Sequence, residues 1–467
     1  MTRSALLAIL LSFELLALSF PPAAFAAADR LAADAHDILV ELLKIDTTSP
    51  PGHETEAAKA LGARLEKEGI AYEIFESTPG RGSLIARLKG DGTKRPLLLM
   101  AHLDVVGTEP AKWTVPPFAA VEKDGYLYGR GSIDDKGMAA ASAAVLIAVK
   151  RSGLKLKRDL ILLNEADEES GGRQGMRRLV REHFDKLDAE FALNEGGSTE
   201  LKAGSVVRVS VQAAEKRYHD VRLVARGTAG HASIPLRDNA VFTLSRALGR
   251  VAAWEPEVRL NPVTRAFFEG VAPMRSPRFQ AAVQDLLHGT TGQVRAAARA
   301  IADEHPANQA LLMDTAVPTI LGGGIRANVI PSEAWVNLNC RLLPDRDTDA
   351  FLADLKRVVD DPAVDVVVQD RPEGGPQGYM PVDSELFKAL GGVARRLWPG
   401  ALVVPYMSTG ATDSEYLRER GVKAYGIGLP MDAQDEMRMH GNDERVTLDG
   451  LGQGTRFLYE VVLEMNR

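Results

Sequence analysis

Polar residues that can bind metal follow an apolar segment near residue 100. His102 and Asp104 come at the end of the run Leu97 to Ala101, which consists of apolar residues. Side chains two positions apart on a strand share a face, so both would emerge at the strand's carboxyl end, where open α/β sheets build their sites. One ring nitrogen of His102 could then bind a metal ion while Asp104 orients the ring through the other. Taken alone, such a histidine is more often a satisfied core residue, so other motifs must decide.

Three acidic clusters follow along the chain. Residues 129–137 read GRGSIDDKG, with two adjacent aspartates where a helix N-cap needs only one. Residues 164–172 read NEADEESGG, with four acids in five positions that would repel one another in a shared pocket unless cations or protons compensate. A solvated loop would also tolerate them. Residues 194–197 read NEGG after another apolar run, and the clusters together predict a preassembled cation site.

The elements that must position these clusters alternate between strand-like and helix-like patterns, which predicts α/β layers. Apolar runs and helical periodicity predict strands at 97–101, 159–164 and 190–193, and helices at 32–44, 54–68 and 136–151. From about residue 217 the order becomes strand, helix, strand, strand, helix, strand, which indicates a small α+β sandwich. We therefore expect a catalytic domain formed by residues 27–216 and 373–467, split by a second domain at 217–372. Inside the second domain, residues of about 255–315 form an insertion with a helical pattern whose role the sequence does not reveal.

The first residues have the pattern of an export signal. Arg3 precedes an apolar stretch, and small residues of the A-x-A type follow at 23–28. We predict a signal peptide at 1–26 and a secreted or periplasmic protein, with no membrane span after its removal. The alternative is a buried helix or an anchor, although the run is shorter than the ~20 residues that a span needs.

The composition excludes several classes of protein. The chain has 467 residues, 45% hydrophobic and 25% charged, which is the range of globular proteins with sizeable cores. Its formal charge of -7 and the absence of a basic run argue against a nucleic-acid partner. Cys340 is the single cysteine, so neither an intrachain disulfide nor a cysteine-based metal site can form. Any metal must be bound by histidines and carboxylates.

The motifs, in this order and spacing, resemble those of the dinuclear zinc hydrolases that include aminoacylases, glutamate carboxypeptidases and succinyl-diaminopimelate desuccinylase. The matching segments are HLDVV, GRGSIDDKG, DEESGG, NEGG, GHAS at 230–233, RANVIP at 326–331, NCR at 339–341, TGATD at 409–413 and MHG at 439–441. Within this family, the sequences of the DEESGG and NEGG motifs and the long insertion most resemble those of the carboxypeptidase S and N-acyl-amino-acid hydrolase branch. The resemblance implies an α/β catalytic domain of the zinc aminopeptidase type, a mixed sheet flanked by helices. It also implies an inserted α+β, ferredoxin-like domain that serves as lid and dimerisation surface.

The resemblance implies two zinc ions per subunit, with cobalt or manganese as substitutes. Asp134 would bridge the two ions. His102 and Glu195 would complete the protein ligands of one ion, and Glu169 and His440 those of the other. This agrees with the chemistry, since zinc accepts imidazole nitrogen and carboxylate oxygen, and paired ions can activate water and polarise a carbonyl.

Three further residues have implied catalytic roles. Glu168 would be the general base that takes a proton from metal-bound water and passes it to the leaving amine. Asp104 would orient the first ligand histidine. His231, in the GHAS motif, would stabilise the oxyanion at a metal site, commonly that of the partner subunit; the alternative is a histidine in a turn. The Asp134–Asp135 peptide bond is expected to be cis.

Three residues are implied to bind substrate. Asn328 and Arg341 would contact the substrate carboxylate or the transition state, and Gly410 would lie against the carboxylate end of the substrate. Surface or turn positions are the alternative for Asn328 and Arg341.

The resemblance implies a secreted, dinuclear zinc-dependent hydrolase that cleaves an amide bond next to a free carboxylate. The substrate would be a small peptide, cut at its C-terminal bond, or an N-acyl amino acid, and the subunits would pair as a homodimer through the lid domain. Carboxypeptidase, dipeptidase and N-acyl-amino-acid deacylase activities remain open, because they share one metal core. A single-metal aminopeptidase and an inactive binding protein on the same scaffold are further alternatives.

Overall fold

The computed structural model describes residues 22–370 and 378–467, so the predicted signal peptide lies outside the described residues up to position 21. The helices are α1 Pro22–Leu43, α2 Glu54–Lys67, α3 Lys136–Ser152, α4 Met176–Glu182, α5 Phe184–Leu187, α6 Ala240–Ala252, α7 Pro262–Val271, α8 Pro277–His288, α9 Thr291–Glu304, α10 Pro306–Ala310, α11 Thr348–Val359, α12 Glu385–Leu397, α13 Ser414–Glu419, α14 Ala433–Glu436 and α15 Leu448–Met465. Within the described ranges, none of these helices is long and apolar enough to cross a membrane.

The strands belong to one large sheet, one four-stranded sheet and two small ones. They are β1 Tyr72–Glu76, β2 Gly82–Leu88, β3 Leu97–His102, β4 Val121–Lys123, β5 Tyr126–Tyr128, β6 Leu160–Glu165, β7 Phe191–Asn194, β8 Ser198–Lys202, β9 Ser205–Glu215, β10 Arg217–Arg226, β11 Gly230–His231, β12 Thr315–Gly323, β13 Val329–Ile330, β14 Glu333–Leu342, β15 Val364–Asp370, β16 Leu402–Ser408, β17 Lys423–Gly426, β18 Pro430–Met431 and β19 Arg445–Thr447.

The large sheet is mixed and has ten strands. Its order is β1, β2, β6, β3, β7, β17, β9, β8, β18, and β16 pairs in parallel with β9. Strand β3 lies between β6 and β7, parallel to both, and is buried along its length. This explains its nearly continuous apolar sequence, since parallel strands are covered on both faces. The predicted mixed sheet flanked by helices is confirmed.

Helix α3 connects the core of this sheet to the acidic cluster at 129–137. Its alanines at 139–141, 143 and 144 are fully buried, and their small side chains let α3 pack between α1 and α15 and against β3. The helix begins directly after Asp134 and Asp135, so the packing of α3 fixes where these two aspartates lie.

The second sheet has the order β12, β14, β10, β15, with all pairs antiparallel. Helices α6 and α11 cover it, and Val221, Leu244, Leu338 and Phe351 belong to the core between them. Read along the chain, the elements run β10, α6, β12, β14, α11, β15. This succession and strand order are those of a ferredoxin-like unit, as predicted.

The helical segment predicted at about 255–315 forms α7 to α10. It lies between α6 and β12 in the chain, yet its buried side chains, such as Val263 and Phe268, belong to the core of the large sheet. Helix α7 approaches β16 so closely that a Cβ atom at Gly270 would lie 2.6 Å from Val404 Cγ1. The segment therefore packs on the large sheet at β16 and adds to its hydrophobic core.

Candidate metal centre

Three of the predicted ligands lie where elements of the large sheet end or begin. His102 is the last residue of β3, Glu195 follows the last residue of β7, and Asp134 lies two residues before α3. Because β3 and β7 are neighbouring parallel strands, their carboxyl ends meet at one edge of the sheet. His102, Asp134 and Glu195 offer ligand atoms that all lie within 4.8 Å of one another. The sequence motifs therefore converge on one point.

His102 is held with one nitrogen facing the other ligands. Its Nε2 lies 2.9 Å from Asp134 Oδ1 and 4.0 Å from Glu195 Oε1, and its side chain is buried. Its Nδ1 lies 2.9 Å from the main-chain oxygen of Asp104 and 3.5 Å from the Asp104 carboxylate. A carbonyl oxygen can only accept a hydrogen bond, so Nδ1 donates to it, and Nε2, which faces Asp134 and Glu195, can act as a ligand when it carries no proton.

A second cluster consists of Asp134, Glu169 and His440. His440 Nε2 lies 2.9 Å from Asp134 Oδ2 and 3.2 Å from Glu169 Oε1. Asp134 thus presents Oδ1 to the first cluster and Oδ2 to the second. Imidazole nitrogens and carboxylate oxygens are the donor types that zinc accepts, so the residues present fit two cations bridged by Asp134. The Asp134–Asp135 peptide bond is cis.

Protons compete for these ligands. Burial and the charge of Asp134 raise the pKa of Glu195 to about 8. Hydrogen bonds to Asp134 and Glu169 raise the pKa of His440 to about 10. For Asp134, burial acts to raise the pKa, but hydrogen bonds from His102 and His440 outweigh it and hold the pKa below its usual range. Metal ions require the ionised carboxylates and neutral imidazoles, so binding them would release these protons.

The carboxylate of Asp104 holds the loop that carries Glu168 and Glu169. The main-chain N–H groups of Glu168 and Glu169 donate to Asp104 Oδ1 and Oδ2, each at 3.1 Å. Glu168 faces the cleft, and burial and the charge of Glu195 raise its pKa well above the usual range. Asp104 therefore links β3 to this loop, in addition to lying near the ring that the sequence predicted it to orient.

Glu444 and Arg130 are two buried residues that sequence reasoning missed. Glu444 accepts hydrogen bonds from the main-chain N–H groups of Ile133 at 2.8 Å and Asp134 at 3.2 Å, and it pairs with Arg130. Arg130 also donates to the main-chain oxygen of His440 at 3.2 Å. The pair thus connects the loop of Asp134 to the loop of His440. The acidic side chain of Glu444, three residues after the MHG motif, was the one signal in the sequence that could have indicated a role for it. No pattern in the sequence indicates that Glu444 contacts Arg130.

The loop of Gly410 is fixed by a buried ion pair. Glu215 Oε2 accepts hydrogen bonds from the main-chain N–H and the hydroxyl of Thr412, at 3.0 and 2.9 Å. Glu215 Oε1 pairs with Arg418, at 2.5 Å, and both side chains are buried. This arrangement holds Gly410 on the wall of the cleft.

The remaining predicted residues divide into two groups. Arg341 and Gly410 line the cleft that contains both ligand clusters. His231 and Asn328 do not belong to its lining. His231 is exposed in the short β11–β13 pair, with Nδ1 2.7 Å from Ser233 Oγ, and Asn328 accepts the N–H of Ala232 through its main-chain oxygen. The structure therefore brings His231 and Asn328 together with each other, and apart from the ligands.

The cleft has a volume of about 1150 Å³ and reaches beyond the ligands. Residues of the large sheet, the second sheet and the helical segment 255–315 all line it, including Glu195, Arg341 and Phe267. The volume exceeds the ~300–1,000 Å³ of most small-molecule pockets. The site can therefore hold an amide at the ligands together with sizeable groups on either side.

Comparison with known proteins identifies relatives of this chain. The chain is 28% identical over 395 residues to "Probable carboxypeptidase S-like 2" of Dictyostelium discoideum, covering 81% of this chain and 74% of that protein. It is 27% identical over 467 residues to "N-fatty-acyl-amino acid synthase/hydrolase PM20D1" of Mus musculus, with coverages of 94% and 89%. It is 26% identical over 414 residues to mouse "Aminoacylase-1", with coverages of 88% and 90%.

A solved structure shares the fold. The M20 family metallo-carboxypeptidase Sso-CP2 from Sulfolobus solfataricus superimposes with a TM-score of 0.69 at 21% identity, covering 92% of this chain and 98% of that one. The model of peptidase family M20/M25/M40 matches residues 98–464, a range that includes all five predicted ligands. The protein therefore belongs to peptidase family M20/M25/M40 and is a hydrolytic enzyme of the peptidase or amidohydrolase type, as the motifs predicted.

Proposed function

We propose that the protein is a dinuclear zinc hydrolase that cleaves the amide bond of an N-acyl amino acid, next to the free carboxylate. The observation that carries the proposal is the arrangement of Asp134, whose two oxygens each lie 2.9 Å from a histidine of a different ligand cluster. A carboxylate in this position can bridge two cations. Neither a core histidine nor a solvated acidic loop explains two such clusters around one aspartate.

The side chains at the centre support a hydrolytic mechanism. Two zinc ions, when bound, would polarise the scissile carbonyl and lower the pKa of a water molecule. Glu168 takes a proton from the attacking water, whose oxygen bonds to the carbonyl carbon. When the C–N bond breaks, Glu168 passes this proton to the leaving amine, so that amide and water become a carboxylic acid and an amine. Asp104 keeps Glu168 in place through its main-chain N–H.

Arg341 supports recognition of the substrate carboxylate. It lines the cleft, and its guanidinium lies 4.8 Å from the centre of the Tyr218 ring. Arg341 Nε donates a hydrogen bond to Asn339 Oδ1 at 3.2 Å, which leaves the two terminal nitrogens of the guanidinium for a ligand. A guanidinium over an aromatic ring can still bind a carboxylate through two parallel hydrogen bonds. Gly410, on the same cleft, leaves room for this end of the substrate.

The choice of an N-acyl amino acid rests on the relatives whose names include N-fatty-acyl-amino acid hydrolase and aminoacylase. A second candidate is cleavage of the C-terminal bond of a short peptide, because the Dictyostelium relative is named carboxypeptidase S-like. Both substrates present the same amide and carboxylate to the metal centre. What differs is the group on the acyl side.

We also propose export from the cytoplasm through the sequence at 1–26 and a homodimer that forms through the second sheet. The edge strand β12 supports the dimer, since Val317, Ile320 and Leu321 are more than half exposed there. The position of His231, outside the cleft of its own chain, is consistent with a role in the site of the other subunit. Light scattering of the purified protein would test the proposed homodimer, and a monomer at the concentration used in the assay would contradict it.

A panel of N-acyl amino acids and short peptides tests the proposed function directly. The protein is stripped with a chelator, reloaded with zinc, cobalt or manganese, and assayed for release of the free amino acid. We expect hydrolysis only after reloading, and loss of turnover with retained metal in Glu168→Gln. Unchanged turnover in Glu168→Gln, or no hydrolysis of any N-acyl amino acid or peptide, would contradict the proposal.

A further inference from the structure

Lys216 is the single residue between strand β9 of the large sheet and strand β10 of the second sheet. Its side chain is buried, and it does not line the cleft. The chain passes between the same two parts of the molecule again at residues 313–315, the second crossing, which leads from the helical segment into β12. The helical segment packs with the large sheet, whereas β12 belongs to the second sheet.

The ammonium group of Lys216 binds the second crossing. Its Nζ donates hydrogen bonds to the main-chain oxygen of Met313 at 2.8 Å and to the hydroxyl of Thr315 at 3.4 Å. Burying a charged amine costs free energy, and a methionine side chain would fill nearly the same space without that cost. What the ammonium adds is therefore its hydrogen bonds, which join the two crossings of the chain.

The second crossing in turn holds the strand that carries Arg341. Thr315 pairs with Arg341 in the register of β12 and β14. Asp314 Oδ1 accepts the N–H of Leu343, two residues after Arg341, at 2.8 Å. Burial lowers the pKa of Lys216 to about 7, the charge of Asp314 opposes this, and the charge of Arg341 adds to it. Lys216 is therefore connected to Arg341 by hydrogen bonds through the second crossing, and the two cations lie within electrostatic reach.

On its other side, Lys216 contacts the strand that leads to Gly410. Its main-chain N–H donates to the main-chain oxygen of Ser408, the last residue of β16, at 3.0 Å. Ser408 Oγ accepts the N–H of Gly410 at 3.1 Å. Lys216 thus has contacts leading to both residues proposed to bind the carboxylate end of the substrate, Gly410 from the large sheet and Arg341 from the second sheet.

From this geometry we propose that Lys216 is a positioning residue for recognition of the substrate carboxylate. It fixes Arg341 relative to the loop of Gly410, so that the guanidinium meets the carboxylate of a substrate whose amide lies at the metal centre. The inference rests on the proposed function and deepens it, because Lys216 supports carboxylate binding without touching the substrate. An error of about 1 Å in the placement of such a group can cost roughly 100-fold in rate.

Lys216→Met tests this role, because methionine keeps most of the side-chain volume and lacks the three donors of the ammonium. The substrates are the N-acyl amino acid or peptide that the wild type hydrolyses fastest, and its C-terminal carboxamide. For the acid we expect KM to rise roughly 10-fold with a smaller change in kcat, the pattern of lost uniform binding. For the carboxamide we expect kcat/KM to change less than about 2-fold, since it offers the guanidinium no charge. Where turnover of the carboxamide is too slow to measure, its inhibition constant against the acid replaces kcat/KM.

A double-mutant cycle shows whether Lys216 acts through Arg341. Arg341→Gln alone should raise KM for the acid by roughly 10- to 100-fold, the loss of hydrogen bonds to a charged group. In that background Lys216→Met should add less than about 2-fold, because no guanidinium is left to position. Asp314→Ala releases Leu343 at the other end of the same path and should raise KM in the same way. It provides the test if Lys216→Met does not fold.

Arg158→Met is the matched control for loss of stability. Arg158 is a fully buried cation that donates to the main-chain oxygen of Met465 at 3.1 Å, and it does not line the cleft. Its replacement removes a comparable buried hydrogen bond, and KM for the acid should stay within about 2-fold of the wild type. Thermal unfolding would measure the stability of both variants. An equal rise of KM in Arg158→Met would overturn the role of Lys216.

Three results in Lys216→Met would also overturn this role and leave the proposed function standing: equal losses on the acid and the carboxamide, no rise of KM for the acid, or full additivity with Arg341→Gln. An unchanged KM in Arg341→Gln would overturn it together with the proposed recognition of the carboxylate. Failure of the reloaded wild type to hydrolyse any N-acyl amino acid or peptide would contradict the proposed function itself, and with it this role, so the failures are distinguishable.

Discussion

The two ligand clusters share Asp134 but differ in how the chain holds their histidines. His102 ends a strand that is paired on both sides, and its side chain is 1% exposed. His440 lies in a loop, with a positive φ of 59°, and its side chain is 51% exposed. The first cluster is built into the core of the sheet. The second depends on contacts between loops that are far apart in the sequence.

This difference indicates a rigid half and an adjustable half of the same centre. Around His102, the main-chain oxygen of Asp104 and the paired strands fix the ring. Around His440, the connection runs through Arg130, which donates to the main-chain oxygen of His440 and pairs with Glu444. We therefore expect the first ion to be bound more tightly and the second to respond more to changes at a distance.

Replacing the shared ligand should have the largest effect. In Asp134→Asn only one oxygen of the side chain can coordinate metal, so no group bridges the clusters. We expect activity to fall by roughly 10⁴-fold, the scale of losing a catalytic unit, and bound zinc to fall below two ions per chain. Mass spectrometry of metal content and steady-state assays would measure both. Near-normal activity with two ions would remove Asp134 from its bridging position.

Replacing each histidine separately tests the difference between the two halves. His102→Ala removes one of the two histidine hydrogen bonds to buried Asp134 and should lower the free energy of unfolding of the metal-free protein by about 1–3 kcal/mol. His440→Ala should change it less, since water screens the half-exposed ring. Both should lose most activity. Urea unfolding would compare the two variants, with His53→Ala, at an exposed histidine, as the control. Equal destabilisation by His102→Ala and His440→Ala would contradict the difference between the two halves.

Glu444→Gln should affect the adjustable half without removing a ligand. The amide cannot pair with Arg130 as a carboxylate does, so the loops of Asp134 and His440 lose their connection. We expect zinc affinity or activity to fall about 10–100-fold, as for other residues that support metal ligands. Glu73→Gln, which removes a surface ion pair with Lys186, provides the control. Unaltered zinc affinity in Glu444→Gln would show that the connection is not needed.

The smallest expected effect is a change of stability with pH. In the metal-free protein the raised pKa values, about 10 for His440 and about 8 for Glu195, mean that the folded state holds protons that the unfolded state releases. The contribution of Glu195 to the free energy of unfolding should therefore be full below about pH 4.5 and be lost as the pH rises through 8, and that of His440 should be full below about pH 6.5 and be lost as the pH rises through 10. We expect the free energy of unfolding to decrease between pH 6 and pH 9, with the part due to His440 reduced because solvent screens its half-exposed ring.

Zinc should reverse this trend, because it needs the deprotonated ligands and binds better as the pH rises. Unfolding curves at several pH values, with chelator and with zinc, would measure it. A metal-free protein that becomes more stable from pH 6 to pH 9 would contradict the assigned shifts.

The sequence predicts the cluster of His102 better than the cluster of His440. The candidate ligands that follow buried strands had a local signal, because an apolar run such as 97–101 favours a covered strand, and polar residues that follow a parallel strand lie at the edge of the sheet. His440 has no such local signal and was identified only through the family motif MHG. The pairing of Arg130 with Glu444 joins residues more than 300 positions apart, which no local pattern indicates.

The fold shows a similar limit. The βαββαβ order of residues 217–370 predicted the second sheet, because each element has its own periodicity. The helices at 255–315 were also predicted, but not the surface they cover. Amphipathic faces show that a helix is partly buried, yet both sheets offered apolar faces, and the close fit of Gly270 on Val404 that decides between them is visible only in three dimensions.

Titration of the metal-free protein with zinc tests the central claim most directly, with activity and bound metal recorded at each step. The shared position of Asp134 predicts that activity reaches its maximum at two zinc ions per chain and that Asp134→Asn never reaches it. Full activity at one ion per chain would contradict a dinuclear centre.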